Sequence, residues 1–169
     1  ETMHEDRELF ARHNGAFFEA VASVDEAPYL VDSSKSLDRL KLLLDLKILP
    51  VRIIHLTRRP HGVVASNVRR GRDSRALSRN YTLAMMKTRD LVREQDSIEV
   101  HYEDLVRDPA GTLEEIDRAL GLAFEPAQLD WARSEGHVIA GNAIRFSEDS
   151  AIRLDRRWMR ELPVWTWVG

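Results

Sequence analysis

Cysteine is absent from all 169 residues, which removes disulfides, thiolate nucleophiles and cysteine-held zinc from consideration. No apolar run approaches the ~20 residues that a membrane-crossing helix needs. The amino terminus lacks the basic, apolar, small-residue order of a secretory signal. A cytoplasmic protein without a membrane span is therefore expected. No His-Glu-x-x-His or similar ligand spacing occurs, so no metal is expected. Repeats, low-complexity tracts and Pro/Gly/Ser linkers are also missing, which leaves a single domain over residues 1–169. The first residue is Glu1 rather than Met, and a fragment of a longer domain is expected on that ground.

The charge that is present is unevenly placed. The chain carries −3 overall, which argues against a general nucleic-acid binder. Yet between Val51 and Asn80 eight arginines face one acid, Asp73, a local +7 that leaves −10 for the remainder. Such asymmetry points to a local anionic partner, with an exposed basic loop as the alternative. The run Val51, Ile53, Ile54, Leu56 is apolar on both faces, as in a parallel strand covered by helices on each side. It ends at Arg58 and Arg59 and meets Pro60, which suits a first helical position. A helix beginning there offers first-turn N–H groups and a positive dipole end beside two arginines, a good place for a phosphate. A solvated surface arginine pair is the plainer reading of the same residues.

Elsewhere the spacing predicts helices over His4 to Val24, Ser36 to Ile48, Pro60 to about Gly71, and Ala76 to Gln95. Asp108-Pro109 starts another that Gly121 ends, unless Thr112 and Glu115 form a capping box a turn later. Short helical pieces are read at Ala127 to Ser134 and Leu154 to Leu162. Strands are read at Tyr29 to Asp32, from Val51, and at Ser97 to His101, with Ile98 and Val100 on one face. This order gives an α/β domain with a parallel sheet flanked by helices. Three polar clusters fall at its strand ends, where such sheets bind ligands: Asp32 to Lys35, Thr57 to Arg59, and Tyr102 to Asp104.

Together these segments resemble the sulfotransferases that use 3′-phosphoadenosine 5′-phosphosulfate (PAPS), from about Tyr29 to Trp158. Val31-Asp32-Ser33-Ser34-Lys35-Ser36 resembles a segment after a core strand in bacterial members. Ile54 to Ser66 is similar to the 3′-phosphate motif, in which an arginine closes the strand and a serine lies eight residues later. Tyr102-Glu103-Asp104-Leu105, then Asp108-Pro109 and Leu120-Gly121, match the next block. His137 to Arg145 looks like the late nucleotide-binding loop.

The resemblance implies a P-loop-kinase-like fold, incomplete at the amino terminus, that moves a sulfuryl group from PAPS to a hydroxyl or amine of a small molecule or glycan. It implies that Arg58 and Ser66 hold the 3′-phosphate, that Tyr102 lies near the adenine, and that Gly141, Asn142 and Arg145 complete the nucleotide contacts. Lys35 would face the transferring group; alternatively Ser33 and Ser34 cap the next helix and Lys35 points to water. Ser66 could equally be a small buried helix residue, and Tyr102 a core tyrosine. His55 reads as structural, inside a strand. Two departures stand out. Arg59 replaces an Asp common in the family, so the usual helix-capping acid is missing. The family's Gly-rich loop for the 5′-phosphosulfate has no counterpart before Tyr29, so the main catalytic residues are expected upstream of Glu1. A non-catalytic nucleotide- or partner-binding remnant and a P-loop kinase relative are the competing readings.

Overall fold

Helices dominate because most of the chain repeats its apolar residues at helical spacing and brings its own caps. The structure, a computed structural model, describes residues 2–24, 29–68, 73–133 and 152. Its contacts divide into two units, Glu1–Ile53 with Asp90–Asp96, and Ile54–Arg89 with Ser97–Gly169.

In the first unit, α1 (Thr2–Ala22) packs against α2 (Leu37–Leu46). An Arg7–Asp45 pair at 3.6 Å joins the two helices at the surface. Ser36 caps α2, its hydroxyl accepting from the Arg39 N–H at 3.3 Å, and Lys47 closes it in the left-handed region with φ 49°. Arg39 lies over the rings of Phe10 and Phe18, 5.6 and 5.9 Å from their centroids. Its Nε donates to Asp32 Oδ2 at 2.7 Å, while Asp32 Oδ1 accepts from the Ser34 N–H at 2.9 Å. Burial works to raise the Asp32 carboxyl, but the bonds from Arg39 and Ser34 and the Arg39 charge outweigh it and hold the group below its ordinary value.

The strand expected at Tyr29 to Asp32 does not form. Tyr29 and Leu30 are exposed and Val31 is 88% exposed; no described strand pairs with them. Asp32 instead ties the segment to the start of α2, and Lys35 sits in the left-handed region with φ 58°. An apolar run becomes a strand only where a neighbour accepts its N–H and C=O groups.

Two strands, β1 (Ile53–Thr57) and β2 (Ser97–His101), which apart from Ile53 belong to the second unit, form a parallel sheet. The register is the same at both ends. Ile53 donates to the Asp96 carbonyl at 2.8 Å, and Thr57 meets Val100 and His101 four residues on. Parallel strands need a crossover, supplied here by α3 (Pro60–Val68) and α4 (Ser74–Val92). Asp73 begins α4, its carboxylate accepting from the Ala76 N–H at 2.7 Å. Gly71, expected to end α3, lies outside the described residues. Val64 and Ala65 are 3% and 1% exposed, with Leu77 packed against them.

Along β1 burial alternates. His55 is buried, whereas Ile54 and Leu56 are 45% and 53% exposed. β2 passes without a break into α5 (Tyr102–Arg107), a short helix that the sequence reading left as a polar strand end. Asp108 closes α5 and caps α6 (Pro109–Leu120), its Oδ1 accepting from the Gly111 N–H at 3.0 Å; the later capping box is not the start. Gly121, with φ 75°, ends α6 in a Schellman turn in which Leu122 and Gly121 donate to the carbonyls of Asp117 and Arg118. A 3₁₀ segment, Pro126–Arg133, follows, and Gln128 donates to the buried carboxylate of Asp117 at 3.3 Å. Among the described residues no helix is long and apolar enough to cross a membrane.

Candidate functional site

The carboxyl ends of β1 and β2 lie side by side, so whatever follows each strand is brought together. Thr57, the last residue of β1, meets His101, the last of β2, with Oγ1 and Nδ1 2.7 Å apart. Beyond them Arg58 and Arg59 leave one strand while Tyr102, Glu103 and Asp104 leave the other. A cleft of about 370 Å³ opens here, lined by Thr57, Arg58, Arg59, His101, Glu103, Asp104 and Arg107.

Arg58 is held at both its backbone and its guanidinium. The Tyr81 hydroxyl, reaching from α4, donates to the Arg58 carbonyl at 2.5 Å and accepts from the Arg58 N–H at 3.3 Å. Its guanidinium carbon lies 4.3 Å from the centroid of the Tyr102 ring, a cation–π contact that fixes its plane. Gly62, in the first turn of α3, stands against the same guanidinium. A Cβ there would come within 2.5 Å of Arg58 Nε and 2.8 Å of Nη2, so the guanidinium occupies the space that a side chain at 62 would take.

Arg59 is anchored through its backbone, its N–H donating to Glu103 Oε1 at 3.1 Å. This carboxylate takes the N–H of the residue that precedes α3, which an acid at position 59 would not. It also changes the expectation for the start of α3. The Arg59 N–H is taken by Glu103 and the Gly62 N–H by the Arg59 carbonyl at 3.1 Å, so these donors are engaged already. Pro60 has none to give. Two of the donors at the start of α3 are thus already used within the protein. Arg107 pairs with Asp104 at 2.7 Å on the exposed rim, a contact of small energetic weight. Burial pushes the Tyr81 phenol up, and the Glu103 charge adds to it, against the Arg58 backbone bond and the Arg58 charge. The hydroxyl stays protonated at neutral pH and able to donate.

Of the sequence-predicted residues, the structure brings Arg58 and Tyr102 into contact. Ser66 falls within α3, and its side chain lies outside what is described. Gly141, Asn142 and Arg145 also lie outside the described residues, as do His137 and the helical piece from Leu154. Lys35 and its neighbours belong to the first unit. The sequence reading missed Tyr81 and Gly62. Tyr81 was read only as part of the helix from Ala76 to Gln95, where its signal is a hydroxyl among apolar residues such as Leu77 and Met85. Gly62 was legible as a residue with no side chain four positions after Arg58.

Parallel strands joined by a helical crossover, with an arginine-lined cleft at their carboxyl ends, define a helix-rich α/β scaffold. The chain belongs to the sulfotransferase family, whose model matches residues 1–126. Comparison with curated proteins and with solved structures gave no match.

Proposed function

We propose that the protein transfers a sulfuryl group from PAPS to an acceptor hydroxyl or amine, and that Arg58 holds the 3′-phosphate of that nucleotide. The observation that carries this reading is the seating of the Arg58 guanidinium at the end of β1, against Tyr102 and Gly62, beside an open cleft. A guanidinium held in a fixed plane presents a fork of donors that matches two phosphate oxygens, which a lysine cannot do. Ser66, on the helix that follows, is assigned the hydroxyl to the same phosphate, and Tyr102 a place beside the adenosine. Gly141, Asn142 and Arg145 are assigned the remaining nucleotide contacts. Binding of this kind contributes by orienting the donor for in-line attack of the acceptor on sulfur, as the bond from sulfur to the bridging phosphate oxygen breaks. The acceptor is a small molecule or a glycan.

The test is calorimetry with 3′,5′-bisphosphorylated adenosine, which keeps both phosphates of the donor after sulfuryl transfer. It is expected to bind far more tightly than AMP or ATP, which have no 3′-phosphate for Arg58. Equal affinity for the bisphosphate and AMP would remove the assignment, and a preference for ATP would favour a kinase relative.

A further inference from the structure

Arg58 stands one residue beyond the end of β1, where β2 has already turned into α5. Its N–H and C=O lie just past the strand proper, where a backbone polar group away from water still needs to be held. One side-chain atom binds both: the Tyr81 hydroxyl lies 2.5 Å from the Arg58 carbonyl oxygen and 3.3 Å from its nitrogen. Holding the N–H and the C=O of one residue from the same oxygen restricts its φ and ψ together. That sets the direction in which the side chain leaves the chain. Tyr81 is itself well placed to do this, because it shares a helix face with Leu77, four residues earlier, which packs on Val64 and Ala65 of α3.

We infer that Tyr81 is a positioning residue for anion binding: its hydroxyl fixes the Arg58 backbone so that the guanidinium meets the 3′-phosphate in one orientation. The inference rests on the reading of Arg58 given above. The half-buried phenol keeps its proton at neutral pH, so the donated bond persists across the working range.

Tyr81→Phe keeps the ring and removes the hydroxyl. Titrating wild type, Tyr81→Phe, Arg58→Ala and the double variant with 3′,5′-bisphosphorylated adenosine and with AMP separates the possibilities. Tyr81→Phe is expected to weaken the bisphosphate about three- to tenfold, the scale of one neutral hydrogen bond, and to leave AMP unchanged. In the Arg58→Ala background the same change is expected to have no further effect on affinity. A purely structural role would instead weaken both ligands, or weaken the bisphosphate equally in both backgrounds, and either result overturns the inference. So does an unchanged affinity in Tyr81→Phe while Arg58→Ala loses binding. If Arg58→Ala binds as wild type, the reading of Arg58 fails, and the role of Tyr81 with it.

Discussion

Replacing Arg58 by alanine isolates its side chain, because the bonds that hold its backbone come from Tyr81 and survive the change. What is lost is the guanidinium fork and its contact with the Tyr102 ring 4.3 Å away. A hydrogen bond to a charged group contributes about 1.5–3 kcal/mol. At about 1.4 kcal/mol per factor of ten, the bisphosphate should bind about 10- to 150-fold more weakly. Arg58→Lys retains the charge but not the planar fork, and a flexible ammonium does not stack on Tyr102 in the same way. Its affinity should fall between alanine and wild type. AMP supplies the internal control: without a 3′-phosphate it should lose little in either variant. Isothermal titration of the three proteins with both ligands, at fixed salt, reads all of this. The reasoning is refuted if Arg58→Ala binds the bisphosphate within twofold of wild type, or if AMP weakens in parallel with it.

Gly62→Ala places a Cβ 2.5 Å from Arg58 Nε, so the guanidinium must leave its seat beside Tyr102. The obstructing atoms end a flexible side chain and alanine favours helix by up to about 1 kcal/mol. The melting temperature should therefore hold or rise while bisphosphate affinity falls several-fold, and titration beside a thermal melt checks both. His55 is buried, with Nε2 lacking a partner among the described residues. Burial pushes its pKa below the ordinary 6.5, helped by the charges of Arg89 and His101 and opposed by Glu99. A lowered folded-state value means that the unfolded chain binds more protons just below pH 6.5. The contribution of His55 is thus present above that pH and lost as the pH falls through the folded value. Melting curves from pH 7.5 downward should show an acid-side loss of stability that is shallower in His55→Leu; equal slopes would exclude His55 as its source.

Elements whose cause is local were legible. Ser36, Asp108 and Gly121 start or stop helices through atoms within a few residues; the sequence placed Asp108 and Gly121 and began a helix at Ser36, but offered Ser33 and Ser34 as its caps where Ser36 itself does the capping. The two strands that pair were also found, β1 from its apolar run and β2 from its alternation, with helices between them. Tyr29 to Asp32 shows the other case. It has the composition of a strand, but whether it pairs depends on a neighbour far along the chain, and Asp32 has a nearer use in Arg39. The alternation of burial along β1 is equally non-local, because nothing in Ile54 or Leu56 states which face will be buried. At the site, Arg58 and Tyr102 were foreseen as members of one pocket. Their direct stacking, the Tyr81 clasp and the Glu103 bond each join residues more than 20 positions apart, and such contacts appear only when the sheet is assembled.

The bond from Arg59 to Glu103 has a consequence for the order in which the molecule comes together. In a capping box the acid sits three residues into the helix and reaches back to the N–H of the residue that precedes it. In α3 that place is Gly62, which has no side chain, and its space belongs to Arg58. The acid arrives instead from 44 residues later, on the helix after β2. A local acid would be available as soon as the helix nucleates; Glu103 is available only after the intervening crossover has folded and the second strand has docked, with the closure entropy of that long loop already met. The start of α3, and the arginine seated against it, is therefore completed only once the second strand has docked on the first.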